Sequence, residues 1–131
     1  MNPNLKLGNM KEEHDAWQGR IQFLKKEIET FKSSLGSVVV GDFKLKNAMA
    51  SVEHFQNQFI LQREQLDIIR HDLKQHENLI EDVEKGKGKG KEPSPGLDNV
   101  HKVQREKLEQ FEKIFHDLRK EFNVFLDKVD Y

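Results

Sequence analysis

The chain has no cysteine, and only three of its 131 residues are proline. The absence of cysteine excludes disulfide bonds and cysteine-ligated zinc sites. Apolar runs are no longer than three residues, which is too short for a membrane-spanning helix. Neither sign of charge dominates, because 22 basic and 23 acidic residues are interspersed and give a net charge of −1. We therefore expect neither a nucleic-acid-binding face nor a membrane partner.

The sequence does contain three stretches in which apolar residues recur at alternating steps of three and four. They run from Met10 to Leu35, from Leu45 to Val83 and from Leu97 to Val129. This spacing places the apolar side chains on one stripe of an α-helix and is typical of helices that pack along seams. We predict an all-α fold in which three long antiparallel amphipathic helices, at residues 9–35, 42–85 and 98–128, form a staggered, coiled-coil-like bundle.

Two connectors separate the predicted helices within a single domain of residues 1–131. Gly36 follows the last seam residue of the first helix and suits a C-terminal cap, so residues 37–41 are expected to be a connector. Asp42 is a plausible N-cap of the second helix. Residues 86–96 alternate lysine with glycine and end in Pro-Ser-Pro-Gly, which predicts a flexible linker.

Antiparallel packing around these connectors predicts that the first helix lies beside residues 42–67 only. The rest of the second helix would then form a bare hairpin with the third helix, and two helices cannot hide such a seam completely. We expect a homodimer with four-helix cross-sections to cover it, unless residues 1–7 fold over that end or the second helix bends back. The expected interface consists of Leu66, Ile69, Leu73, Ile80, Val83, Leu108, Phe111 and Phe115.

Polar residues also occupy seam positions. The same register puts His14 level with Gln62, and His76 near Gln104. Because buried polar groups need partners, these residues are predicted to form two polar layers that fix the register of the bundle, as buried polar residues do in coiled coils.

The histidines and carboxylates do not assemble into a known metal motif. No glutamate lies three residues before a histidine, as di-iron bundles require, and His-Glu-x-x-His is absent. His76 and the seam residue His101 are the only candidate ligands, and we predict no metal and no cofactor.

No catalytic constellation is visible, so the predicted function is that of a non-enzymatic interaction or scaffold protein that self-associates through its seams. Residues 1–7 contain no apolar run typical of a signal peptide, and we expect a cytoplasmic protein. One alternative is a four-helix-type protein that binds a metal or small ligand through histidines and carboxylates. Another is a chaperone for a specific partner, which requires the phenylalanine-rich stripe of the third helix to stay partly accessible. The hairpin of the second and third helices is similar in architecture, and in architecture only, to hairpins in chaperones and adaptors such as prefoldin.

Overall fold

Three long helices make up the described part of the chain. A computed structural model describes residues 3–41, 46–85 and 95–129. Helix α1 spans Pro3–Gly41, α2 spans Lys46–Glu84 and α3 spans Pro95–Val129. At 1.5 Å per residue each helix is roughly 55 Å long. No strand occurs within these ranges, and the predicted all-α bundle is confirmed.

Helix α1 is longer at both ends than the sequence predicted. It begins at Pro3, and it continues through Gly36 to Gly41 instead of ending at residue 35. Val38 explains the extension, because it continues the apolar stripe beyond Leu35 and is buried. Burying a valine contributes about 1.5–3 kcal/mol, which outweighs the cost of about 1 kcal/mol for a glycine within a helix.

The longer α1 changes its register with α2, and the predicted overhang is wrong. Lys11 forms an ion pair with Glu84 close to the end of α2, and Gln18 donates a hydrogen bond to Glu77. Leu7 packs with Ile80 at the same end. Because α1 extends to Gly41, its pairing with α2 shifts, and α1 reaches the part of α2 that we expected to be bare.

The expected dimer interface is consequently covered by α1 of the same chain. Six of its eight residues are buried, namely Leu66, Leu73, Ile80, Leu108, Phe111 and Phe115, while Ile69 and Val83 are half-buried against the core. The basis for expecting self-association through this seam is therefore lost. Whether the chain dimerises at all stays an open prediction.

The core is divided into two parts along the bundle. The larger cluster extends from Trp17 to Val129 and includes a group of phenylalanines around Phe122, whose ring lies 5.1–5.3 Å from those of Phe31, Phe55 and Phe59. The smaller cluster closes the opposite end and consists of Leu7, Met10, Ile80 and Leu97, with Val83 packed against them. A polar layer lies between the two.

Helix α3 begins at Pro95, three residues earlier than predicted. Asp42, the expected cap of the second helix, and residues 86–94 of the expected linker lie outside the described residues. None of the helices in the described ranges is both long and apolar enough to span a membrane.

Candidate functional site

Ion pairs line both sides of α1. Towards α3 they recur at steps of one heptad and join Glu13 to Arg105, Arg20 to Glu112 and Glu27 to Arg119. Towards α2 they join Lys11 to Glu84 and Glu29 to Arg63. Each such pair is partly exposed and contributes little to stability, but together these charged side chains keep the two grooves beside α1 solvated.

The third groove, between α2 and α3, is mainly apolar. We call this surface the α2–α3 face. Its exposed apolar residues are Ile68, Leu79, Val100, Val103, Ile114 and Val124, which line pockets between the two helices, and Leu61, one heptad before Ile68; they are between 41% and 53% exposed. Shallow pockets along the face are lined by side chains of both helices, such as Leu79 with Val103 and Ile68 with Ile114. Polar side chains such as Gln65 and Lys107 also line these pockets, and His54 lies 3.7 Å from Glu121 across the same groove. Grouped exposed apolar side chains of this kind are typical of an interaction site.

A second feature lies inside the bundle, where each helix contributes one histidine to the polar layer. We call His14, His76 and His101 the histidine cluster. All three are buried, with exposed fractions of 1%, 1% and 5%. Trp17 stacks on the ring of His101 at 4.8 Å between centroids, so an aromatic side chain closes the layer on the side of the larger core cluster.

The ring nitrogens of the three histidines converge. Nε2 of His14 lies 3.1 Å from Nδ1 of His76 and 3.2 Å from Nδ1 of His101. The three potential ligand atoms all lie within 4.8 Å of one another. This is the one such group of three histidine or carboxylate ligands within the described ranges.

Oxygen acceptors determine the tautomers of two of these rings. Nε2 of His76 lies 3.1 Å from the carbonyl oxygen of Leu97, and Nε2 of His101 lies 3.1 Å from Oε1 of Glu13. Because both oxygens only accept hydrogen bonds, the two Nε2 atoms carry the protons. When these rings carry a single proton, each Nδ1 has a lone pair that faces Nε2 of His14.

The oxygen acceptors are themselves held in place. Arg105 donates to both carboxylate oxygens of Glu13, at 2.8–3.2 Å. Glu77 lies on the other side of the cluster, where its Oε1 is 3.8 Å from Nδ1 of His14 and accepts a hydrogen bond from Gln18. The cluster thus has a carboxylate from α1 and another from α2 behind its rings.

Burial favours the neutral forms of His14 and His76. Removal from water, together with the neighbouring rings of His76 and His101, lowers the pKa of His14 from 6.5 to about 4, against the raising effect of Glu13. Burial also lowers the pKa of His76, against the effect of its hydrogen bond to Leu97. Burial alone would raise the pKa of Glu13, but the hydrogen bonds from His101 and Arg105 lower it. At neutral pH His14 and His76 therefore present lone pairs close to the Glu13 carboxylate.

The structure rearranges the predicted polar layers. All five polar seam residues are buried, but the predicted pairing of His14 with Gln62 is wrong, because His14 contacts His76 and His101. Both ring nitrogens of His76 have other partners, and Gln104 donates to the backbone carbonyl of Asp72. The two candidate ligands, His76 and His101, do come together. Sequence reasoning missed His14, which completes the group.

Comparisons with protein-family models, with curated proteins and with solved structures found no match for this chain.

Proposed function

We propose that this chain is a non-enzymatic helical-bundle scaffold that self-associates into a homodimer through the α2–α3 face. The observation that carries the proposal is the contrast between the three grooves. Both grooves beside α1 are lined by ion pairs, whereas the α2–α3 face has seven apolar side chains that are about half exposed. Burying such side chains against a second copy gains about 25 cal/mol per Å² of apolar surface.

The pattern of α3 favours a second copy of the chain as the occupant. Around Ile114, one heptad before it is Lys107 and one heptad after it is Glu121. The next heptad row of α3 carries two valines at about equal distances from Ile114, namely Val103 and Val124. In an antiparallel dimer centred on Ile114, each Lys107 faces Glu121 of the other copy and each Val103 faces Val124. A self-complementary surface is what a two-fold interface requires.

Such a dimer also has a plausible cross-section. Helix α3 of one copy lies antiparallel to α3 of the other, and the two α2 helices pair in the same way, which gives a four-helix layer with an apolar centre. From Val100 to Val124 the contact would be about 36 Å long.

Light scattering after size exclusion, over a range of concentrations, tests the proposal. We expect a dimer of about 31 kDa, twice the 15.4 kDa of one chain, and we expect Ile114→Glu to yield a folded monomer. The matched control is Phe23→Glu, because Phe23 is 61% exposed but lies on the outer side of α1. That variant should remain dimeric.

A wild-type protein that stays monomeric at all concentrations would overturn self-association. If that monomer also bound an apolar dye, and Ile114→Glu abolished the binding, the face would serve another protein and the chaperone alternative would be favoured. Equal loss of dimer in Ile114→Glu and Phe23→Glu would exclude the α2–α3 face as the interface.

A further inference from the structure

We propose that His14, His76 and His101 form a binding site for a divalent transition-metal ion of the zinc type, in which each helix of the bundle supplies one ligand. All three ligands come from one chain, so the site does not require dimerisation, although His76 also lines a pocket on the α2–α3 face. The absence of a metal motif within any one helix predicted no metal site, whereas here the three ligands come from three helices.

The spacing of the ring nitrogens fits a tetrahedral ion. With zinc–nitrogen bonds of about 2.05 Å, two ligand nitrogens of a tetrahedral site lie about 3.3 Å apart. The two nitrogen pairs that involve Nε2 of His14 are 3.1 and 3.2 Å apart. The three ligand atoms lie within 4.8 Å of one another, so an ion placed between them would require the rings of His76 and His101 to move closer together. Imidazole nitrogen is also a preferred ligand for zinc, copper and nickel ions.

The distribution of protons independently indicates a cation. If Nε2 of His14 carries the proton, it can fully satisfy only one of the two facing Nδ1 lone pairs, and Nδ1 of His14 then faces Glu77 as a second acceptor. If Nδ1 carries the proton, three unprotonated nitrogens face one another. A buried nitrogen without a donor is costly, so each arrangement of protons leaves the layer incompletely paired. A metal ion would bind all three lone pairs at once.

Nδ1 of His14 is the atom that reveals this incomplete pairing. Within the described ranges it is buried and has no hydrogen-bond partner, and the nearest carboxylate oxygen, from Glu77, is 3.8 Å away. A small rotation of the His14 ring towards an ion would turn this N–H towards Glu77.

The outer contacts of the rings match those of known metal sites. Metal-ligating histidines usually donate their second N–H to a carboxylate or a backbone carbonyl, which orients the ring. His76 has the carbonyl of Leu97 in this position, and His101 has Glu13, which is fixed by Arg105. A pocket of about 380 Å³ between α1 and α3 is lined by Glu13, His101 and Arg105 and provides an entry path for an ion.

Zinc titration of the chelator-treated, full-length protein tests the site. We expect one Zn²⁺ per chain by calorimetry and a higher melting temperature with zinc than with chelator. Co²⁺ should give the visible absorption bands of a tetrahedral site. Replacing all three cluster histidines with glutamine should weaken zinc binding by at least about 100-fold, since the ligands themselves matter more than the groups behind them.

The chain contains its own matched control, because the other three of its six histidines are exposed. A variant with His54, His71 and His116 replaced by glutamine removes the same number of imidazoles and should bind zinc as the wild type does. The single variant His76→Gln provides a second test in case the triple cluster variant fails to fold, which circular dichroism would reveal.

Three results would overturn the proposal. The wild type could fail to bind zinc stoichiometrically. The surface variant could lose binding as much as the cluster variant does, which would indicate adventitious surface binding. A folded His76→Gln variant could bind zinc with unchanged affinity and an unchanged Co²⁺ spectrum.

Discussion

Nε2 of His14 lies 3.1 Å from Nδ1 of His76, in the buried layer that separates the two hydrophobic clusters of the bundle. This contact fixes the first half of α1 beside the second half of α2. His101 joins the same layer from α3. One polar layer therefore defines the register of all three helices. Its three histidines are the titratable groups that are buried in the core.

The stability of the metal-free protein should decrease as the pH falls from about 6.5 to about 4.5. The pKa of His14 is about 4 in the folded chain and 6.5 ordinarily, so in this range the unfolded chain binds the proton more readily. The contribution of neutral His14 to the free energy of unfolding is fully present above pH 6.5. Up to about 3 kcal/mol of it is lost as the pH approaches 4. The charged groups near the cluster are Glu13, Glu77 and Arg105, and this range lies above the ordinary pKa of 4.5 for Glu13.

Urea denaturation in chelator at several pH values measures this effect. A variant in which leucine replaces all three cluster histidines should have a free energy of unfolding that is nearly independent of pH in this range. An equally steep dependence in that variant would contradict the assignment to the cluster.

Glu13→Gln should weaken zinc binding by about 10–100-fold, because the neutral amide orients His101 less strongly than the carboxylate does. Calorimetric titration gives the affinity. Glu27→Gln is the matched control, since Glu27 occupies the same position two heptads later, where it pairs with Arg119 and contacts none of the cluster rings. Equal losses in both variants would mean that the ion-pair ladder, and not the contact with His101, is responsible.

Phe122→Ala should destabilise the protein by about 3–5 kcal/mol, because Phe122 is fully buried among four other phenylalanine rings and its removal leaves a cavity. Chemical denaturation followed by circular dichroism measures the change. Phe23→Ala, at a residue that is 61% exposed, should change stability by less than about 0.5 kcal/mol. Similar losses in both variants would show that the phenylalanine cluster is not the centre of the core.

Lys107→Glu should weaken the dimer about fivefold, since it places a like charge opposite Glu121 of the second copy. The double variant Lys107→Glu/Glu121→Lys should restore dimerisation. Sedimentation equilibrium measures both dissociation constants, and Lys113→Glu serves as the control because Lys113 is exposed on the outer side of α3. Failure of the double variant to recover would argue against an antiparallel arrangement centred on Ile114.

The sequence predicted the helices well because the apolar stripe has a clear period, but that same period does not determine the register. A heptad pattern looks identical after a shift of seven residues, and the true partner of His14 on α2, His76, lies two heptads beyond the predicted partner, Gln62. Gly36 favours an end of α1 by local propensity, but the burial of Val38 outweighs that propensity. The predicted end at residue 35 is the source of the error in register.

The charge pattern of the sequence indicates how α1 aligns with α3. Glu13, Arg20 and Glu27 alternate in sign at heptad steps, and so do their partners on α3. A slip of one heptad would oppose like charges along the whole ladder, which is unfavourable. The histidine cluster follows only from the complete three-helix register, since no single helix carries two of its members.

The histidine cluster and the exposed α2–α3 face both depend on the position of α1 along α2. The chain has one tryptophan, Trp17, and no cysteine, so a dye on a single introduced cysteine can accept energy from Trp17. Asn78→Cys and Asn57→Cys provide two matched exposed positions three heptads apart on α2. We predict stronger energy transfer from Trp17 to a dye at position 78, because the neighbouring residues Gln18 and Glu77 are in contact. Stronger transfer to position 57, measured at a concentration where the chain is monomeric, would contradict the account.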